Sequence, residues 1–249
     1  MSGHSKWSTI KRKKGAKDAE RGRVFTRLIK EITVAARQGG GDETSNPRLR
    51  SAIQTAKGAN MPSKNIDNAV KKGTGELPGV TYEEITYEGY GPGGVALYIE
   101  TLTDNKNRTV AEIRHLLTKH NGSLGENGSV GWMFDKKGVI SIPVANTTED
   151  DLMMLVLDAG AEDIQQDEDF FIVKSDPANF EAVRAVLEEN SIEYESAAIT
   201  REPQTTISVE GKPAEQLLKL LDMLEDQDDV QNLYANFDID DSVIEALSA

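Results

Sequence analysis

The sequence contains no cysteine, only three histidines and no long apolar run among its 249 residues. Without cysteine the chain has no disulfide framework, no thiolate nucleophile and no cysteine-based zinc site, and its expected setting is the reducing cytoplasm. Because a membrane-spanning helix needs about 20 consecutive apolar residues, we expect no membrane segment. The basic amino-terminal stretch is not followed by an apolar one, so it does not resemble a secretory signal.

Residue patterns that carry catalysis or bind metals are also lacking. His115 and His120 are five positions apart, which is the wrong spacing for two ligands on one helix face, and His4 lies in the basic amino-terminal stretch. The carboxylates lack the spacing of a calcium loop, and the glycine-rich loop at 91–94 lacks the lysine of a phosphate-binding loop. The sequence therefore predicts a non-enzymatic protein with no metal and no cofactor.

Charge is distributed unequally along the chain, whose formal net charge is -14. Residues 1–75 carry 17 basic and 6 acidic side chains, a net charge of +11, whereas residues 76–249 carry 11 basic and 36 acidic ones, a net charge of -25. A polyanion is attracted to the basic part and repelled by the acidic part. A solvated surface that binds nothing is the alternative, but a cluster so strongly of one sign favours nucleic acid as the partner.

Three amphipathic helices are predicted near the amino terminus. The first has apolar residues from Val24 to Ala36 at helical spacing and ends at glycines 39–41. The second begins with Asn46 as its cap and Pro47 in its first turn, and the third lies between Pro62 and Gly73. Residues 1–78 are therefore expected to form a helical basic domain.

The remainder alternates strands and helices. Between 134 and 203 the order is β-α-β-β-α-β, that of a ferredoxin-like plait. The flanks repeat this order with VALYIETL, a helix at 109–121 that opens with a Thr109–Glu112 capping box, SVGWMF, TTISV, a helix at 213–226 and VQNLYANF. The segment YEEITYEGY at 82–90 is a further predicted strand.

The predicted fold class is α+β, with an N-terminal three-helix domain followed by two ferredoxin-like α/β domains, one inserted in the other. The expected boundaries are 1–78 for the helical domain, 79–133 plus 204–249 for the first plait and 134–203 for the inserted plait. Two plaits placed end to end are the alternative.

The candidate contacts to nucleic acid are the basic side chains of the first domain. They are Lys6, Lys11, Arg12, Lys13, Lys14, Lys17, Arg21, Arg23, Arg27 and Lys30, supplemented by Arg48, Arg50 and Lys57. Contacts of this kind to backbone phosphate position a protein without reading sequence. Because the sequence has no recognisable helix-turn-helix signature, any sequence preference is expected to come from nucleic-acid shape or from a partner.

A second contact is considered at the turn formed by Asn105, Lys106, Asn107 and Arg108. This polar, basic turn precedes a predicted helix, and helix amino termini bind phosphate readily. An ordinary solvated loop explains the same residues equally well.

Several long segments carry a resemblance to a known family. They are GHSKW at 3–7, IKRKKGAKDAERGRVFTRLIKEI at 10–32, NPRLRSAIQTAKGANMPSKNI at 46–66 and YEGYGPGGVALYIETLTDNKNRTVAEIRHLLTKHNGSLGENGSVGWMF at 87–134. Together they resemble the YebC/PmpR family of regulatory proteins. The resemblance implies a helical domain followed by two α/β domains, in a cytoplasmic bacterial protein without enzymatic activity that is labelled a DNA-binding transcriptional regulator.

Three hypotheses for function follow. The first is transcriptional regulation through DNA binding. The second is a ribosome-associated translation factor that binds ribosomal RNA, since the mitochondrial branch of the resembling family comprises translational activators of cytochrome c oxidase. The third is a protein-interaction adaptor in which the acidic domains bind a basic protein. The first two share the requirement for a basic, phosphate-binding surface.

Overall fold

The computed structural model describes residues 17–167, 169–240 and 243. Its first elements are the helices α1 (Lys17–Gly39), α2 (Pro47–Gly58) and α3 (Ser63–Thr74). They are followed by β1 (Glu83–Tyr90), β2 (Ala96–Thr103), α4 (Lys106–Lys119), β3 (Ser123–Leu124), β4 (Phe134–Pro143), α5 (Glu149–Val156), β5 (Ala161–Asp167), β6 (Phe170–Ser175), α6 (Phe180–Glu189), β7 (Ser196–Pro203), β8 (Ile207–Ser208), α7 (Gly211–Glu225), β9 (Val230–Ala235) and β10 (Phe237–Asp238). The predicted α+β class is confirmed.

The chain divides into two compact units. One is Trp132–Thr206, and the other contains the described residues that precede and follow it in the sequence. The domain boundaries given above remain predictions. Within the described ranges, no helix is both long and apolar enough to cross a membrane.

The helices α2 and α3 begin and end close to the predicted positions because local signals fix them, whereas α1 ends at the predicted glycines but begins at Lys17, seven residues before the predicted pattern starts at Val24. Asn46 caps α2 by accepting a hydrogen bond from the backbone N–H of Leu49 at 3.1 Å. Its buried amide also donates to the carbonyl oxygens of Ala35 and Gly40, at 2.8 Å each, and so joins the start of α2 to the end of α1. The core between the three helices consists of Ile32, Ala35, Ala36, Leu49, Ala52, Ile53, Ala56, Met61, Ile66 and Ala69.

The four-stranded sheet of the same unit has the order β3-β1-β2-β9. Ile113 and Leu117 of α4 and the leucines of α7 form a core with the side chains of β2. The prediction that TTISV is a strand of this sheet is wrong. The TTISV segment contributes β8, which pairs in parallel with β10 in a separate two-stranded sheet, and β1 takes the place beside β2 by an eight-residue antiparallel pairing.

The prediction that SVGWMF is a strand is also wrong. The carboxylate of Glu88 accepts hydrogen bonds of 2.7 Å from the backbone N–H groups of Gly128, Val130 and Gly131. Those amides are therefore unavailable to a sheet ladder. Residues 131–133 form a single 3-10 turn instead, and β4 begins at Phe134.

The beginning of α4 also differs from the prediction. Asn105, rather than Thr109, caps the helix by accepting from the backbone N–H of Arg108 at 3.1 Å. The Thr109 hydroxyl is buried and donates to Asp229 at 2.7 Å, so it cannot act as a helix cap.

The unit Trp132–Thr206 has the predicted β-α-β-β-α-β order. Its four strands pair antiparallel in the order β5-β6-β4-β7, as in a ferredoxin-like plait. Leu152 and Val156 of α5 and Phe180, Val183 and Leu187 of α6 pack against the sheet.

Candidate nucleic-acid interface

The predicted contact residues at the amino terminus fall largely outside the described ranges. These are Lys6, Lys11, Arg12, Lys13 and Lys14. Lys17 is the first residue of α1. The remaining predicted residues divide into those that contact acidic or carbonyl groups of the same chain and those that are exposed.

Three predicted residues of α1 lie on one helix face, at the i, i+4 and i+7 positions Arg23, Arg27 and Lys30. This face meets an acidic turn, which we define as residues 225–229. Arg23 Nη2 lies 3.2 Å from Asp226 Oδ1, and both side chains are partly exposed. Burial lowers the pKa of Arg27 although the neighbouring carboxylates of the turn raise it. The predicted phosphate-binding face of α1 is therefore already beside carboxylates.

Lys30 belongs to a group of polar side chains around Asp229, the Asp229 cluster, in which Lys30, Thr103, Thr109 and Asp229 are buried and Arg108 is partly exposed. The Lys30 ammonium donates to Asp229 Oδ1 at 2.7 Å, and only 9% and 3% of the two side chains are exposed. Asp229 Oδ2 accepts from Arg108, Thr109 and Thr103 at 2.8, 2.7 and 3.2 Å. Lys30 and Arg108 therefore both have partners within the chain; Lys30 is buried, whereas 44% of the Arg108 side chain stays exposed.

The carboxyl group of Asp229 stays ionised in these surroundings. Burial on its own raises the pKa of Asp229, but hydrogen bonds from Arg108, Lys30 and Thr109 outweigh it and bring the pKa to about 2.

Two predicted residues of α2 also have internal partners. Arg48 donates to both carboxylate oxygens of Glu31, at 2.6 and 3.0 Å, and to Glu84 of β1 at 2.6 Å. The hydrogen bond to Glu31 is the main reason that the pKa of Arg48 is raised. Arg50 donates to the carbonyl oxygens of Glu43 and Thr44, at 2.9 and 3.0 Å. These guanidinium groups hold α2 to its neighbours.

The exposed basic side chains of α1, α2 and α3 form a different set, which we call the exposed basic surface. Its members are Arg21, Arg37, Lys57, Lys64, Lys71 and Lys72. Arg21 lies over the Phe25 ring at 5.3 Å from its centroid, and Lys57 makes a long 3.9 Å contact with Glu43. No ion pair within the described part of the chain engages Arg37 or the lysines of α3.

Sequence reasoning identified Arg21 and Lys57 but missed the other four members. The missed signal is helical periodicity. Because Ile66 and Ala69 face the core, Lys64 and Lys71 fall on the opposite side of α3, where solvent is expected.

Two of the four residues of the possible second contact, at the start of α4, have partners within the chain. Asn105 is engaged as the helix cap, and Arg108 pairs with Asp229 and, at 2.9 Å, with Asp104. Lys106 and Asn107 are exposed.

The exposed basic surface consists of arginine and lysine side chains. In the described ranges, no group of three or more histidine, aspartate and glutamate side chains is arranged to hold a metal ion. Lysine ammonium groups act as point charges toward phosphate and do not discriminate between bases.

Comparisons with known proteins match almost the whole chain. Residues 5–76 match the family described as "TACO1/YebC protein N-terminal domain", and residues 82–237 match "TACO1/YebC second and third domain". A "Probable transcriptional regulatory protein" of Syntrophus aciditrophicus is 60% identical and one of Desulfotalea psychrophila is 59% identical, each over 100% of both chains. A crystal structure of a conserved hypothetical protein from Aquifex aeolicus superposes with a TM-score of 0.82 at 46% identity, covering 90% of this chain and 93% of that one. This chain therefore belongs to the TACO1/YebC family of regulatory proteins.

Proposed function

We propose that this chain is a non-enzymatic regulator of transcription that binds DNA in the cytoplasm of a bacterium. The observation that carries the proposal is the exposed basic surface, which lies on the helices of a chain whose formal net charge is -14. The names of the relatives, as regulatory proteins of transcription, support the same function.

The proposed mechanism is electrostatic. Lysines and arginines that contact backbone phosphates release the counterions condensed on the nucleic acid, and this release drives binding. The acidic remainder of the chain is repelled by the same phosphates, so that the protein approaches with its helical domain first. Sequence preference then comes from the shape of the duplex or from a partner.

The proposed contact residues combine the prediction with the observed exposure. They are the exposed basic surface (Arg21, Arg37, Lys57, Lys64, Lys71 and Lys72) together with Lys6, Lys11, Arg12, Lys13, Lys14 and Lys17. Arg23 stays a peripheral candidate because its pair with Asp226 is partly exposed.

The proposal is tested with the triple variant Lys64→Gln, Lys71→Gln, Lys72→Gln and a charge-matched control. The control, Lys119→Gln, Lys212→Gln, Lys219→Gln, removes the same charge from exposed positions on α4 and α7. Affinity for promoter fragments is measured by fluorescence anisotropy at several salt concentrations. If the three lysines of α3 each neutralise a phosphate, the slope of log affinity against log salt becomes shallower by about 2.7.

The control variant should keep the wild-type slope of log affinity against log salt to within about 0.45, which corresponds to half of one phosphate contact. Equal losses in the two variants would mean that only net charge matters, and would contradict a contact surface on the helical domain. Unchanged binding in both variants would do the same.

A ribosome-associated translation factor is the second candidate function. The observation that favours it is that the exposed basic surface consists of lysine and arginine side chains, which as a class contact the phosphates of RNA as well as those of DNA. Co-sedimentation with ribosomes and competition between promoter DNA and folded ribosomal RNA distinguish the two targets. If regulation survives the α3 triple variant intact, the adaptor hypothesis, in which the acidic domains bind a basic protein, takes the place of both.

A further inference from the structure

Helix α5, in the unit Trp132–Thr206, exposes a strip of apolar side chains that do not belong to the hydrophobic core of this unit. Its members are Met153, Met154 and Leu157, whose exposed fractions are 39%, 70% and 48%. Leu157 continues the helical geometry beyond the last residue of α5, because its backbone N–H donates to the carbonyl oxygen of Met153 at 3.2 Å. The three side chains therefore lie on one helix face, which we call the α5 strip.

The core-facing side of the helix is already complete. Leu152 and Val156 are fully buried against the sheet of this unit and supply the packing that a two-layer plait needs. A surface helix with a second apolar face exposes hydrophobic area at a cost, and such faces mark binding sites. Methionine suits this role because its flexible, polarisable side chain adapts to different partners.

The segment of the chain that carries the strip is acidic. Residues 144–173 contain nine acidic side chains and no lysine or arginine. Asp150 is exposed and precedes Met153 and Met154 by three and four positions, so it lies on the same helix face. Asp158, next to Leu157, is also exposed. An apolar strip with carboxylates at both ends is complementary to apolar residues flanked by positive charge.

We propose that the α5 strip binds a cationic amphipathic helix of a partner protein. This inference goes beyond nucleic-acid binding and uses none of the residues of the exposed basic surface. Anionic lipid and nucleic acid are both repelled by the carboxylates around the strip. The expected partner helix carries leucine-like residues at i, i+3, i+4 and i+7 with lysine or arginine beside them.

The test uses the full chain and a synthetic peptide of about 18 residues, made of leucine and lysine at amphipathic helical spacing. A peptide of the same composition in scrambled order is the control ligand. Binding is followed through the ¹³C resonances of the methyl groups of the six methionines in this chain. The Met153 and Met154 resonances should shift with the amphipathic peptide and not with the scrambled one.

Two pairs of variants separate apolar contact from charge. Met154→Ser with Leu157→Ser should weaken peptide binding at least tenfold, whereas Val80→Ser with Met223→Ser, at exposed apolar positions of the other unit, should not change it. Asp150→Asn with Asp158→Asn should weaken binding severalfold and reduce its salt dependence. Glu126→Gln with Glu215→Gln removes the same charge from exposed positions of the other unit and should leave both unchanged.

The outcomes on either side are distinct. The proposal is overturned if the two peptides bind with equal affinity or if the Met154 and Leu157 variant binds the peptide as well as wild type does. It is also overturned if the resonances that shift belong to other methionines and those of Met153 and Met154 do not move. Self-association of the free protein that the same variant abolishes would assign the strip to a second copy of this chain and would also overturn it. DNA affinity should be unaffected by this variant, so failure here is distinguishable from failure of the proposed function.

Discussion

At the scale of single residues, Asp229 carries the densest set of polar contacts described above. Its carboxylate is contacted by Lys30 from α1, Thr103 from the end of β2 and Arg108 and Thr109 from α4. Charged groups this deeply buried are tolerated only when paired and hydrogen-bonded. Asp229 therefore joins α1 to β2 and α4 through hydrogen bonds and ion pairs.

Asp229→Asn is expected to destabilise the protein. The substitution keeps the shape of the side chain but leaves the buried Lys30 ammonium without a counter-charge, which costs about 3 kcal/mol in the free energy of unfolding. Urea denaturation followed by circular dichroism measures it. The control Asp226→Asn removes the exposed partner of Arg23 and should cost less than about 1 kcal/mol.

The same substitution has a predicted pH dependence. Because the pKa of Asp229 is about 2 in the folded protein, below its value in the unfolded chain, its contribution to the free energy of unfolding is fully present only above about pH 5. The contribution disappears as the pH falls through the folded pKa. The stability difference between wild type and Asp229→Asn should therefore shrink between pH 5 and pH 2, and a constant difference would contradict the role of the ionised carboxylate.

At the scale of elements, the close approach of α1 and α3 depends on a missing side chain. A Cβ atom at Gly73 would lie 2.5 Å from the carbonyl oxygen of Thr33 and 2.6 Å from the Cβ of Ala36. One of these neighbours is backbone, so it cannot move without displacing α1.

Gly73→Ala is therefore expected to lower the free energy of unfolding by about 1 to 3 kcal/mol, as overpacking does, although alanine is the better helix former. Gly58→Ala is the matched control at the end of α2, where nothing lies within 4 Å of the added methyl group. It should be neutral or stabilise by up to about 1 kcal/mol. Chemical denaturation measures the free energy of unfolding of both variants. Equal changes in the two variants would contradict the close packing of α1 against α3 at Gly73.

Sequence reasoning succeeded where the determining signals are local. The Asn46 cap and the glycines that follow α1 fixed helix boundaries, and the alternation of strands and helices gave the inserted plait. It failed where distant residues decide. The amides that SVGWMF would have offered to a ladder are held by Glu88, some forty positions earlier.

The candidate interface shows the same division. Nothing near Lys30 in the sequence reveals that its partner is Asp229, 199 positions away, or that Arg48 pairs with Glu84. By contrast, the exposure of Lys64 and Lys71 follows from the helical period of α3 and could have been predicted from the sequence.

At the scale of the whole molecule, the hydrophobic core is divided. The helices α1 to α3, the sheet with α4 and α7, and the sheet with α5 and α6 each have a cluster of buried apolar side chains of their own. The last cluster belongs entirely to the unit Trp132–Thr206. Separate cores favour separate opening of the two units.

Leu152→Ala should destabilise the inserted unit selectively. The fully buried side chain leaves a cavity on truncation, at a cost of about 3 kcal/mol. Native-state hydrogen exchange should show lost protection in β4, β5 and β6 while β1 and β2 keep theirs. Leu117→Ala, which truncates a fully buried leucine of α4, should give the reverse pattern, and uniform loss of protection in either variant would show that the units unfold together.

The long separation between Lys30 and Asp229 has a consequence for synthesis on the ribosome. The helix that carries Lys30 leaves the exit tunnel long before Asp229, β9 and the acidic turn have been made. While the intervening 198 residues are translated, the basic face of α1 therefore lacks its partner carboxylate, because Asp229 has not yet been made. During that interval the nascent chain presents more positive charge to surrounding polyanions than the finished protein does, and only completion of the last strands withdraws it.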